Sequence, residues 1–131
     1  SGCFNNMFNV SFLNHPFSVY PIPKCWGEGM TFNAHGGSIA TIGPTAFSYE
    51  SPDINSNRGG IEWLDIQFFK EYGINDIDVL GECWSDTISA FLDNFSINWM
   101  DNSYDGDAII VKNVQQWLLI GDPSLKIGGY N

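Results

Sequence analysis

The run Ser38-Ile39-Ala40-Thr41-Ile42-Gly43 constrains the fold more than any other stretch. It is short, mostly apolar, and stopped by Gly43-Pro44. A run of this kind fits a strand covered on both faces, as in a parallel sheet. Covering it requires helices, and three apolar stripes at helical spacing supply them. Ile61, Leu64, Phe68 and Tyr72 mark a helix over 61–72. Val79 or Leu80, Cys83-Trp84, Ile88, Phe91-Leu92 and Phe95 mark one over 77–95. Ile110, Val114, Trp117 and Leu118 mark one over 106–119, which Gly121-Asp122-Pro123 then breaks. Strand and helices in alternation read as an α/β fold.

The remaining segments fill in that frame. Residues 24–34 carry an apolar side that can form a short helix, and glycines 27 and 29 leave room for close packing on a sheet. His35-Gly36-Gly37 ends it, with glycine where left-handed backbone is common. Ser124-Leu125-Lys126-Ile127 alternates like a short strand. Residues 4–23 are irregular, with Pro16, Pro21 and Pro23 opposing regular structure. Thr45–Gly60 is a long polar loop after the strand, a length usually kept for function or disorder. It places Tyr49, Glu50, Asp53 and Arg58 at the carboxyl edge of the sheet.

Composition narrows the function. The 131 residues suffice for one domain with a core. Five Lys+Arg against 15 Asp+Glu give a formal charge of −10, a surface that repels phosphate and argues against nucleic-acid binding. Cys3, Cys25 and Cys83 are an odd number, so at least one thiol is free. Their spacing fits no zinc site, and no apolar run approaches a membrane span. The sequons Asn9-Val10-Ser11 and Asn94-Phe95-Ser96 point toward export. With neither an initiator Met nor a signal peptide, the chain reads as a processed or excised piece of a longer protein.

Two stretches bear chemistry. Ser1-Gly2-Cys3-Phe4-Asn5-Asn6 sets a cysteine between a turn-permissive pair and a polar turn, as a nucleophile is presented at a sheet's carboxyl edge. The bland alternative is a small buried cysteine near a terminus. A thiol nucleophile needs a base and oxyanion donors. His15 reads as a loop residue, and His35, before the strand, falls on the edge opposite Cys3, so the base is expected outside this chain. Cys83 lies within a helical stripe and reads as core. Asp101, Asp105 and Asp107 give 101–107 the oxygen density of a calcium loop without the EF-hand order, and a capping turn is the alternative.

Taken in order, five stretches resemble the carboxyl-terminal half of a gingipain-type cysteine peptidase (family C25) of the caspase-like clan. Ser1–Asn6 resembles its nucleophile turn, Cys25-Trp26-Gly27-Glu28 its Cys-Phe-(Gly/Ala)-Glu helix, and Gly36–Thr45 its Gly-Gly-Ala-Val-Ala strand. Ser48-Tyr49-Glu50-Ser51-Pro52 with Arg58-Gly59 resembles its Ser-Trp-x-Ser-Pro…Arg-Gly loop, and Trp117–Leu125 its Gly-Asp-Pro-Ser-Leu ending. The resemblance implies a three-layer α/β/α caspase-like sandwich, with residues 1–131 its carboxyl-terminal half and the upstream half absent. It implies a secreted or cell-surface endopeptidase acting on polypeptides, with Cys3 as nucleophile. The histidine of a His-Gly motif would lie upstream, and the isolated chain would be inactive. It further implies Thr45, Ser48 and Tyr49 as substrate-pocket residues, and it raises the case for structural calcium at Asp101, Asp105 and Asp107. Asn5-Asn6 departs from some active members. The competing expectation is a non-catalytic peptidase-like surface module for binding or assembly.

Overall fold

The structure is a computed structural model that describes residues 3–7, 25–50, 60–100 and 107–130. Its elements run α1 (Trp26–Thr31), β1 (Ala40–Pro44), α2 (Ile61–Gly73), α3 (Leu80–Asn94), α4 (Asp107–Gln116) and β2 (Trp117–Gly121). Helices and a small sheet together make a mixed fold compatible with α/β.

The helical stripes form the core. Ile61 and Leu64 of α2 and Phe91 of α3 are buried together with Trp117 of β2, and Ile42 of β1 packs against them. Trp63 meets Phe91 and Phe95 edge-on, with ring centroids 5.3 and 5.4 Å apart. Such aromatic contacts add to plain area burial. Cys83 is fully buried, as its place in the stripe predicts, and its thiol donates to Phe68 O at 3.4 Å.

Successive strand residues face opposite sides of a sheet. Ala40, Ile42 and Pro44 therefore face one way, and Ile42 joins the α2–α3 core. Thr41 and Gly43 face the other way, where the Thr41 hydroxyl lies 3.2 Å from that of Thr31 in α1. Helices thus stand on both faces of β1.

Three sequence expectations are corrected. First, β1 pairs with β2 in antiparallel register, Ala40 opposite Gly121 and Pro44 opposite Trp117, rather than in a parallel sheet. A continuous apolar run reports burial on both faces, and burial says nothing of a neighbour's direction. Second, the helix placed over 106–119 stops at Gln116, and Trp117–Gly121 is a strand. Trp117-Leu118-Leu119-Ile120 is a short unbroken apolar run, and periodicity alone cannot assign such a run. Pairing with β1 decides it. The strand closes at Gly121, whose φ of +137° suits glycine and where a Cβ would crowd Ala40.

Third, Ser124–Ile127 is no strand; a single bridge joins Lys126 to Val79. The segment serves α3 instead. That helix has no side-chain cap, and the first N–H groups of a helix lack internal partners. Leu80 N–H donates to Leu125 O at 2.9 Å and Gly81 N–H to Pro123 O at 2.8 Å. Pro123 lies so close that a Cβ on Gly81 would collide with it.

Candidate active site

Cys3 opens a turn beside the carboxyl end of β1. Phe4 N–H donates to Ala46 O at 3.0 Å, and Asn6 N–H to Pro44 O at 2.9 Å. Thr45 N–H instead reaches Gln116 O at 2.9 Å, on the β2 side. Neighbouring residues of a strand direct their backbone groups to opposite sides. The turn therefore lies on the edge of β1 away from β2. A groove of about 450 Å³ lies beside the turn, lined by residues including Asn5, Trp26, Gly43, Asp65 and, from β2, Trp117.

Phe4 has φ +58°, in the left-handed region, where a bulky residue costs about 1–3 kcal/mol. Such backbone persists only where its surroundings hold it, and here two residues do so. Phe4 packs edge-on against Phe47 with centroids 4.5 Å apart. Asn6, 1% exposed, anchors the other end. Its Nδ2 donates to Gly43 O (3.1 Å) and Leu118 O (3.2 Å), so one amide spans both strands. Its Oδ1 accepts from the Thr41 hydroxyl at 3.4 Å.

Gly27 is the reason this fits. Its N–H donates to Asn5 O at 2.7 Å, and any Cβ there would overlap the Asn6 amide. The close approach expected of the α1 glycines is thus made by Gly27, against the turn rather than the sheet; Gly29 faces open space.

The thiol itself is exposed and bracketed by one residue. Ser48 N–H donates to Cys3 Sγ at 3.4 Å, and Cys3 Sγ donates to Ser48 O at 3.6 Å. Beyond Ser48, α4 holds the loop. Asn113, fully buried, accepts from Tyr49 N–H at 3.0 Å and donates to Tyr49 O at 2.8 Å. Tyr49 O also accepts from Ile61 N–H, the first of α2, at 3.1 Å. Lys112 Nζ stands 5.5 Å from the Tyr49 ring centroid, within cation–π range. Thr45 uses both its N–H and its hydroxyl (3.2 Å) on Gln116 O.

The structure therefore brings Cys3, Ser48 and Tyr49 into one chain of contacts, with Thr45 at the start of the same loop. His35 is exposed in the turn before β1, its N–H on Asn33 Oδ1 at 3.1 Å. β1 alone spans about 13 Å from Ala40 to Pro44. That is far beyond hydrogen-bond reach of a thiol at its other end. His15, Asp101 and Asp105 lie outside the described residues, and Asp107 is the first residue of α4. Among the described residues no cluster of His, Cys, Asp or Glu could hold a metal.

In sequence Asn6 is no more than half of the polar turn after Cys3, and its bonds to both strands belong to the tertiary structure. Asn113 carried a signal: it stands three positions after Ile110, on the α4 stripe that faces the core. A polar residue on such a stripe needs a buried partner.

The chain matches the profile of Peptidase family C25 over residues 2–128. It belongs to that family. The match covers the Cys3 turn, both strands and all the described helices. Comparison with curated proteins and with solved structures gives no match. At the level of the family, a C25 protein is a cysteine peptidase, a hydrolase of polypeptides. Among the described residues, no helix is long and apolar enough to cross a membrane.

Proposed function

We propose that this C25 protein is a gingipain-type cysteine endopeptidase with Cys3 as its nucleophile. The observation that carries the reading is an exposed thiol on a strained turn at the carboxyl end of β1, in contact with the next loop. The Cys3 thiolate attacks the scissile carbonyl carbon. The peptide C–N bond breaks, the amine leaves with a proton, and the thioester left on Sγ is hydrolysed by water. The backbone N–H of Cys3 is one oxyanion donor. Thr45, Ser48 and Tyr49 form a wall of the pocket for the substrate side chain.

The base and the second oxyanion donor come from a His-Gly motif in an upstream half of the same protein. Support comes from the separation of His35 from Cys3 and from the edge of β1 away from β2, where the described residues place the Cys3 turn and no further strand. The whole domain is then a three-layer α/β/α caspase-like sandwich of which residues 1–131 are the carboxyl-terminal half, and α1 and the α2–α3 pair on opposite faces of β1 agree with that. The protein works outside the cell or on its surface. Structural calcium at Asp101, Asp105 and Asp107 belongs to the same reading; chelation should then lower the melting temperature with Cys3 left intact.

A peptidyl chloromethyl ketone tests the catalytic claim. Cys3 should be alkylated in the protein that includes the upstream half, and residues 1–131 alone should cleave no peptide. An intact protein whose Cys3 ignores the reagent while remaining folded would instead be a non-catalytic module for binding or assembly.

A further inference from the structure

We propose that Asn113 is a positioning residue of the Cys3 site, acting through the peptide group between Ser48 and Tyr49. The proposal rests on the reading of Cys3 as nucleophile and deepens it. The carbonyl of that peptide group is Ser48 O, which accepts from the Cys3 thiol at 3.6 Å. Its N–H is that of Tyr49, which donates to Asn113 Oδ1 at 3.0 Å. Sulfur and amide therefore lie at the two ends of one planar unit, whose rigidity passes orientation from one to the other. Hydrogen bonds in such a chain polarise one another, so acceptance by Oδ1 strengthens Ser48 O as an acceptor. Asn113 Nδ2 grips the following carbonyl, Tyr49 O, at 2.8 Å. Two bonds from one side chain fix the loop in both position and rotation.

The environment makes this grip firm. Asn113 is fully buried on α4, and an amide there loses its hydrogen bonds to water unless protein replaces them. α4 runs directly into β2, which pairs with β1 along five residue pairs. The loop is thus referenced to the sheet from behind as well as through β1. Thr45 on Gln116 O fixes its start in the same way. Tyr49 holds the place of the pocket aromatic, so displacing its backbone moves the pocket wall and frees the sulfur together.

The test uses the full protein carrying Asn113→Ala or Asn113→Leu; leucine fills the site with apolar atoms and keeps α4 packed if alanine does not fold. Two reagents, iodoacetamide and a peptidyl chloromethyl ketone, are followed at Cys3, with Cys25 as internal reference. Tyr49 amide exchange should quicken. Peptidyl labelling should slow by about ten- to hundredfold, as expected for an ångström-scale misplacement. Iodoacetamide labelling of Cys3 should rise relative to Cys25, because the sulfur has left its bracket. General loosening would slow the peptidyl reagent too, but it would also speed labelling of Cys25; Cys25 labelling that rises together with Cys3 overturns the proposal. Unchanged labelling, or both reagents moving the same way, overturns the proposal. A wild-type protein that takes iodoacetamide but not the peptidyl reagent defeats the peptidase reading alone; the iodoacetamide and exchange arms still decide the role of Asn113.

Discussion

Cys3 and Cys83 carry the same side chain in opposite surroundings. Cys83 sits in the middle of α3 with no exposed surface, its thiol on Phe68 O. Burial pushes that thiol up to about 11, and the nearby carboxylates of Glu71 and Asp86 push the same way. Cys3 is exposed on a turn that departs from ordinary backbone geometry and lies against two backbone groups of Ser48. A helix interior stores its thiol as a small apolar group; the edge of a strand displays one. Since the thiolate is the reactive form, surroundings rather than residue type decide which cysteine can act.

The sharpest way to break this contrast is alkylation of the native protein at mild pH. Cys3 should react directly, whereas Cys83 should react only through unfolding, slower by roughly 10³-fold or more. Comparable rates at the two cysteines, read by peptide mass spectrometry, would erase the distinction. Next in size is core truncation. Phe91→Ala empties the centre shared by α2, α3 and β2 and should cost about 3–5 kcal/mol in denaturant unfolding. A loss under about 1 kcal/mol would mean that the cluster is not the folding core.

Gly27→Ala tests the turn itself. The added methyl must displace the Asn6 amide from its two carbonyls, so about 1–3 kcal/mol should be lost. Cys3 alkylation should change along with it; a neutral alanine would show that Asn6 does not need that space. A smaller effect is the pH dependence of Cys83. Its folded value lies above the ordinary 9.0, so the folded state holds the proton more tightly. That stabilisation is full below about pH 9 and is lost as pH rises toward 11. Cys83→Ser should flatten the fall in melting temperature across that window. Smallest of all, Cys3→Ala should leave stability within about 0.5 kcal/mol, as for an exposed side chain that packs little.

Much of the frame was legible because apolar spacing has one outcome in a long helix. The stripes through Leu64 and Phe91 name the core residues directly, and a cysteine on the second stripe had to be buried. The site was legible in part. The Ser-Gly-Cys turn and the Thr45–Tyr49 loop could be read as stretches, but not their contact across 45 positions. Asn6 illustrates the limit. In sequence it is half of an Asn-Asn turn; in space it joins Gly43 to Leu118 and needs Gly27 for clearance.

The amino-acid sequence by itself determined the helix faces, the buried strand and family membership. Each depends on local periodicity or on residues in order, and neither requires knowing what lies alongside. Tertiary structure alone decided that Trp117–Gly121 is a strand, that it runs antiparallel to β1, and that two asparagines hold the Cys3 turn and the neighbouring loop. A short apolar run has no preferred partner until a sheet edge is offered to it, and a side-chain amide takes whichever backbone groups burial brings within about 3 Å.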